Sequence, residues 1–143
     1  MLLVQIAYFK IRDSSIHRLP DYLFMGLNIA HLMIYNSSKI KTLNFVIKKL
    51  QLILAELSSL MPNSLSSLAA SLKHLVLSNN RLQDVPTKAL RQLRGLDHIN
   101  LGQNNISVIK DGAFWGLSKV TRLTLYDNKI HKIHSYAFDG LTK

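Results

Sequence analysis

The sequence contains no cysteine, and Glu56 is the single glutamate among its 143 residues. Without thiols there is no disulfide bond, no cysteine metal ligand and no thiol nucleophile. The chain is also poor in paired carboxylates, in nucleophiles with a neighbouring base and in clustered metal ligands. The motif HKIH, with His131 and His134, lacks a third ligand, so we interpret these histidines as solvated loop residues. We expect neither an enzyme nor a cofactor site.

No apolar run reaches the length of a membrane span, although 48% of the residues are hydrophobic. The opening segment MLLVQIAYF, residues 1–9, has no basic residue ahead of its apolar residues. It therefore does not predict a signal peptide. A chain of this length supplies enough apolar side chains for one continuous core, and we interpret residues 1–143 as one domain.

A 24-residue period organises the second half of the chain. The segments LKHLVLSNNRL, LDHINLGQNNI and VTRLTLYDNKI begin at residues 72, 96 and 120. Each places apolar residues at offsets 0, 3, 5 and 10 and an asparagine at offset 8. The later segments ALRQL, AFWGL and AFDGL repeat with the same period. Self-similarity at a fixed period of about 20 to 29 residues is typical of leucine-rich repeats.

The same template divides the first half into three less regular units, which gives six predicted units in all: 6–28, 29–49, 50–71, 72–95, 96–119 and 120–143. Strand side chains alternate, so offsets 3 and 5 face the core and offsets 2, 4 and 6 face solvent. Stacked units pair their strands in parallel. We predict an α/β solenoid: a horseshoe with about six short strands on its concave face and irregular or short-helical return segments on its convex face. The cluster SLSSLAASL, residues 64–72, is interpreted as a short helical return segment.

The polar residue at offset 8 lies where the chain leaves the strand. An asparagine amide there can bond backbone groups of adjacent turns that burial would otherwise leave without partners. Serine takes this position in the first three units and satisfies fewer groups. The predicted structural ladder consists of Ser14, Ser37, Ser58, Asn80, Asn104 and Asn128.

The solvent-facing strand residues form the predicted recognition surface, because a rigid sheet displays them and packing leaves them free. His74 and His98 share offset 2 of adjacent units, which predicts that they lie side by side, about 5 Å apart. They form either a solvated polar ladder or a proton-sensitive contact with a partner. The predicted partner-binding residues are Met33, Tyr35, Leu54, Glu56, His74, Val76, His98, Asn100, Arg122, Thr124 and Tyr126.

The net charge of +10 supports a competing hypothesis, binding of an anionic polymer such as a sulfated glycan. Most cations fall in loops and return segments, where they commonly form a solvated face. The convex segment KALRQLR, with Lys88, Arg91 and Arg94, is the predicted glycan-binding patch. No aromatic stacking residue accompanies it in the sequence, which argues against a nucleic acid.

The turn GAFWGL at residues 112–117 and the 24-residue units resemble the animal extracellular class of leucine-rich repeat proteins. The pattern is also similar to arthropod proteins grouped with the non-catalytic subunit of shrimp luciferase. This resemblance implies a solenoid that binds a protein ligand or receptor, in a parent protein that is secreted or at the cell surface. Such proteins usually carry cysteine-bearing caps, so we expect a fragment. The sequons NSS at Asn36 and NIS at Asn105 are the predicted N-glycosylation sites.

Overall fold

A computed structural model of the protein describes residues 4–12, 27–35, 47–53 and 55–143. The described residues form strands, one four-residue α-helix and one turn of 3-10 helix. No helix among them is long and apolar enough to cross a membrane. The strands are β1 Val4–Arg12, β2 Leu27–Tyr35, β3 Ile47–Ile53, β4 His74–Val76, β5 His98–Asn100, β6 Val108–Ile109, β7 Arg122–Thr124 and β8 Lys132–Ile133; the 3-10 turn is Ser66–Leu68 and the helix α1 is Thr87–Leu90.

Six strands form one parallel sheet in the order β1-β2-β3-β4-β5-β7. Each strand pairs with the strand of the next unit, so every unit adds one strand to the growing sheet. The predicted parallel-sheet solenoid of about six strands is confirmed. The return segments pair as well: β6 and β8 form a second, two-stranded parallel sheet that was not predicted from the sequence.

The core is one continuous apolar strip that runs through all the stacked units. The units 72–95 and 96–119 bury offsets 0, 3 and 5 almost completely, as Leu72, Leu75 and Leu77 show, whereas Leu123 and Leu125 of the following unit are half-buried. Burial of such a side chain contributes about 1.5 to 3 kcal/mol, so a single unit cannot fold without neighbours to cover it. In the return segments Phe114 is fully buried, and its ring stacks on that of Phe138 with centroids 5.7 Å apart.

Strand β3 corrects the register of the third unit. Leu50 lies opposite Leu75 and therefore occupies offset 3, not offset 0 as predicted. The unit begins at Ile47, three residues before the predicted boundary at residue 50. Ile47 and Leu50 are both buried, and the burial of these two large apolar side chains fixes the register of the strand. The ladder position of this unit belongs to Ala55, and the prediction for Ser58, which is exposed, is wrong.

The return segments are built mainly from turns. The segment SLSSLAASL contains the 3-10 turn, so its predicted helicity is limited to one short element. The glycine of the repeated GL turn is required by its backbone: Gly140 has φ +105°. A β-carbon there would lie 2.8 Å from the carbonyl oxygen of Phe114, one unit earlier. The turn glycine thus lets successive return segments approach closely.

Candidate functional site

The concave face of the six-stranded sheet is the face turned away from the core. The strand register aligns equivalent residues of successive units across this face. We call the row at offset 2 the histidine row, because it contains three histidines in six positions. Its members, from β1 to β7, are Tyr8, His31, Lys49, His74, His98 and Arg122.

His74 and His98 stack on each other at the centre of this row. Their ring centroids are 4.5 Å apart and their planes differ by 16°. The distance agrees with the spacing of paired strands, about 4.8 Å. His31 stands one position beyond Lys49, and its ring meets Tyr8 edge-on with centroids 4.6 Å apart. The row is therefore a line of rings interrupted by a lysine.

Burial and neighbouring positive charge act together on these imidazoles. Burial lowers the pKa of His74 below its usual 6.5, and His98 and Lys49 lower it further, while Asp97 opposes the shift. Burial also lowers the pKa of His31, again with a contribution from Lys49. Both shifts favour the neutral imidazole, because a charged ring would lose hydration on burial and would be repelled by the neighbouring cation.

Asp97 stands immediately before His98 and brings a negative charge to the row. Its carboxylate accepts a hydrogen bond of 2.6 Å from the Thr121 hydroxyl, which lowers the pKa of Asp97 together with the nearby His98 and His74. The second carboxylate oxygen lies 2.9 Å from His98 Nδ1. This contact is short but poorly aligned, and the buried Nδ1 has no hydrogen bond within the described part of the chain. Neither Lys49 nor Asp97 is among the residues predicted from the sequence.

Tyr126 lies two residues after β7, the last strand of the six-stranded sheet. Its ring fills the space above Gly102, where an added β-carbon would clash with the ring atoms. The side chain remains 49% exposed. Asn100 supports this arrangement, since its Oδ1 accepts a hydrogen bond of 2.8 Å from the Gly102 N–H. Val76 and Thr124 flank Asn100 at offset 4.

The predicted residues of the N-terminal half are brought together only in part. Met33 and Tyr35 lie on β2 at offsets 4 and 6, and Lys10 Nζ lies 4.9 Å from the centroid of the Tyr35 ring. Leu54 lies outside the described residues. Glu56 occupies offset 9 because of the corrected register, and it pairs with Arg81 at 2.8 Å instead of joining the concave rows. Its assignment to the concave face is therefore wrong.

The asparagine ladder lies beside this face and ties successive units together. Asn80 Nδ2 donates to the carbonyl of Leu52 in the preceding unit at 2.7 Å and to Leu77 in its own unit at 3.0 Å. Its Oδ1 accepts from the backbone N–H groups of Ala55 and Leu57. Asn104 and Asn128 repeat the donor pattern one and two units later. Ser14 and Ser37 lie outside the described residues.

Two of the three predicted glycan-binding residues, Lys88 and Arg94, line different cavities. Lys88, Arg91 and Arg94 are all exposed, but Lys88 lines a cavity of about 290 Å³, away from Arg94. Arg94 lines a larger open groove of about 660 Å³, together with Lys73, Lys119 and Trp115. The Trp115 side chain is 64% exposed. An aromatic residue thus lines the same groove as Arg94, contrary to the sequence interpretation, which did not anticipate that residues of neighbouring units line one groove.

The remaining predicted positions lie elsewhere on the surface. Asn105 is exposed, and Asn36 lies outside the described residues. His131 is exposed, and His134 Nδ1 lies 3.5 Å from a carboxylate oxygen of Asp111. These two histidines therefore stand apart from the histidine row.

Comparison with known proteins identifies the repeat. The leucine rich repeat family model matches residues 70–130 and 102–143, which together span 70–143, or 74 of the 143 residues. No curated protein sequence matches the chain. Domains of this repeat fold generally act as non-enzymatic scaffolds for protein–protein recognition. The chain belongs to the leucine-rich repeat family.

Proposed function

We propose that the chain recognises a protein partner through the concave face of its sheet. The observation that carries the proposal is the position of Tyr126, which rests against Gly102 and yet leaves half of its surface open. Interface energy concentrates in a few aromatic anchors, and an anchor whose conformation is already fixed loses less entropy on binding.

The surroundings of Tyr126 suit a protein surface better than a polyanion. Across the neighbouring strands, Thr124 and Asn100 offer neutral polar groups and Val76 is apolar. The cation Arg122 lies in the adjacent histidine row. A mixed surface of this kind can satisfy the hydrogen bonds and the apolar area of a folded partner.

The proposal is tested by binding to an array of purified extracellular protein domains. We expect Tyr126→Lys combined with Thr124→Lys to weaken capture of a genuine partner at least tenfold while the unfolding midpoint stays nearly unchanged. We choose Thr124 over Asn100, whose side chain holds the Gly102 N–H. The matched control is charge reversal of Lys88 and Arg91 on the convex side. A partner that ignores the concave variant but is lost with the convex one contradicts the proposal.

A second candidate function is binding of a sulfated glycan in the groove lined by Lys73, Arg94, Lys119 and Trp115. The specific observation is that three cations and one exposed indole share the same open groove. Sulfate groups attract lysine and arginine, and an exposed indole gives a flat apolar face for a sugar ring.

Heparin retention at graded salt tests this second candidate. We expect Arg94→Glu with Lys119→Glu to elute at much lower salt than the wild type, because fewer ion pairs form. Trp115 is the only tryptophan, so its fluorescence should respond directly to a heparin oligosaccharide. The control is Tyr136→Ala, which removes an equally exposed aromatic ring from outside the groove. Unchanged tryptophan emission with unchanged retention of the double variant rejects the glycan groove.

We also propose that the parent protein is of the animal extracellular class, secreted or at the cell surface. The exposed Asn105 side chain in its NIS sequon supports this, because oligosaccharide transfer needs an accessible asparagine. Expression through the secretory pathway should give a mass shift that an N-glycosidase removes and that Ser107→Ala prevents. An unmodified secreted product argues against use of this sequon.

A further inference from the structure

We propose that His74, His98 and Asp97 form a binding site for a divalent transition-metal ion on the concave face. Each of the three side chains offers one ligand atom, and these atoms all lie within 4.8 Å of one another. In a tetrahedral zinc site, bond lengths of about 2.0 to 2.2 Å place ligand atoms about 3.4 Å apart. The two stacked rings, whose planes differ by 16°, would have to rotate about χ1 and χ2 so that one nitrogen of each ring faces the ion.

The repeat architecture itself holds the ligands at this spacing. Strands β4 and β5 are paired with His74 opposite His98, so both rings project from the same side of the sheet. Asp97 reaches the same place from the residue before β5, and the hydrogen bond from Thr121 in the next unit fixes its carboxylate. The first of three consecutive units thus supplies His74, the second supplies Asp97 and His98, and the third supplies the supporting hydroxyl of Thr121. Such second-layer hydrogen bonds are what orient ligands in metal sites.

The position of His98 Nδ1 also suits a metal ligand. This nitrogen is buried, and its polar neighbour is the Asp97 carboxylate oxygen 2.9 Å away, whose contact falls short of a well-aligned hydrogen bond. The nitrogen and the carboxylate therefore already lie close to the separation of two ligands on one ion.

The ligand set and the surrounding charge define which ion would bind. Two imidazoles and one carboxylate suit zinc, nickel or copper, whereas calcium and magnesium require more oxygen ligands. Lys49 lies beside His74, and Arg122 lies beside His98. These cations oppose a divalent ion, while Asp97 attracts it, so we expect moderate affinity. Three protein ligands leave a fourth coordination position open to the concave surface.

The test is titration of the purified chain with zinc chloride, followed by calorimetry, and with cobalt chloride, followed by visible absorption. We expect one ion per chain and at least tenfold weaker binding by His74→Gln and by Asp97→Asn, since each loses one of three ligands. The matched control is the double variant His131→Ala, His134→Ala, which removes two described histidines outside this cluster and should bind as the wild type does. Circular dichroism confirms that each variant is folded.

A measurement on the unaltered chain keeps the test independent of folding defects in a variant. Zinc should shift the imidazole NMR signals of His74 and His98 and raise the unfolding midpoint, because an ion that binds the folded state stabilises it. The proposal is overturned if zinc binding does not saturate, if it survives both ligand variants, or if the His131, His134 control abolishes it. The site is measured without any partner, so its outcome does not depend on the proposed protein recognition.

Discussion

Replacement of Asn104 by alanine is the sharpest test of how the repeats are held together. The Asn104 side chain is only 5% exposed. Its Oδ1 accepts a hydrogen bond of 3.1 Å from the Leu82 N–H. Its Nδ2 donates to the carbonyls of Leu77, Leu101 and Gly102 at 2.9, 3.0 and 3.1 Å. All these bonds are lost in Asn104→Ala, and none can be remade by a methyl group.

The magnitude follows from which groups are left without a partner. Each carbonyl keeps a second donor: Asn80 Nδ2 at 3.0 Å for Leu77, Asn128 Nδ2 at 2.9 Å for Leu101 and the Asn79 N–H at 3.2 Å for Gly102. Within the described chain, the Leu82 N–H has no second acceptor. A buried donor left unsatisfied costs about 1 to 3 kcal/mol, and the lost carbonyl bonds add a smaller amount. We expect Asn104→Ala to destabilise the chain by about 2 to 3 kcal/mol.

The assay is urea unfolding followed by circular dichroism and, in parallel, by the emission of Trp115. The control is Asn105→Ala, one residue along, whose side chain is exposed. Exposed substitutions of this kind usually change stability by less than about 0.5 kcal/mol. The slope of the transition should stay the same in both variants, so that the midpoints report stability alone. Equal midpoints for Asn104→Ala and Asn105→Ala would refute the role assigned to the ladder.

Asn80→Ala should cost about 1 to 3 kcal/mol more than Asn104→Ala in the same urea assay, because it leaves two backbone N–H groups unpaired, not one. Gly140→Ala should lower the thermal midpoint more than Gly112→Ala: both have positive φ, but only at Gly140 would the new β-carbon meet backbone within 3 Å. Because the native pKa of His74 lies below its unfolded value of about 6.5, the unfolded chain takes up more protons as the pH falls through this range. This contribution to the free energy of unfolding is fully present above about pH 6.5 and is lost as the pH falls through the lowered native pKa. Between about pH 7.5 and 5 the free energy of unfolding of the wild type should therefore fall more than that of His74→Gln, and equal decreases would contradict this.

The second half of the fold could be predicted from sequence because its three units repeat the same offsets without interruption. The template correctly predicts which offsets face the core, as Leu75 and Asn80 show, although the extent of burial depends on the neighbouring units: Leu125 and Asn128 are only half-buried. The third unit could not be placed in the same way. Ile53 and Ala55 imitate offsets 3 and 5 of the template, and only pairing with the next strand shows that Leu50 belongs there.

The candidate sites were harder to predict, because they depend on contacts between units. The spacing of 24 residues was sufficient to bring His74 beside His98. It did not show that Asp97 turns toward the same place, since this depends on the hydroxyl of Thr121 in the following unit. Trp115 likewise shares a groove with Arg94 only because return segments of different units line that groove. Motifs within one unit are local, whereas a surface site is assembled across units.

The change of ladder residue along the chain has a structural counterpart in the sheet. Ala55 supplies none of the side-chain hydrogen bonds that Asn80 and Asn104 supply in later units. The strands of the early units are longer, however: β1 and β2 have nine residues and β3 has seven, whereas β4, β5 and β7 have three. Longer strands satisfy more backbone groups by direct pairing, so fewer depend on a side chain. The described part of the solenoid therefore joins its units in two ways: by extended backbone pairing in the N-terminal half, and by short strands with an asparagine ladder in the C-terminal half.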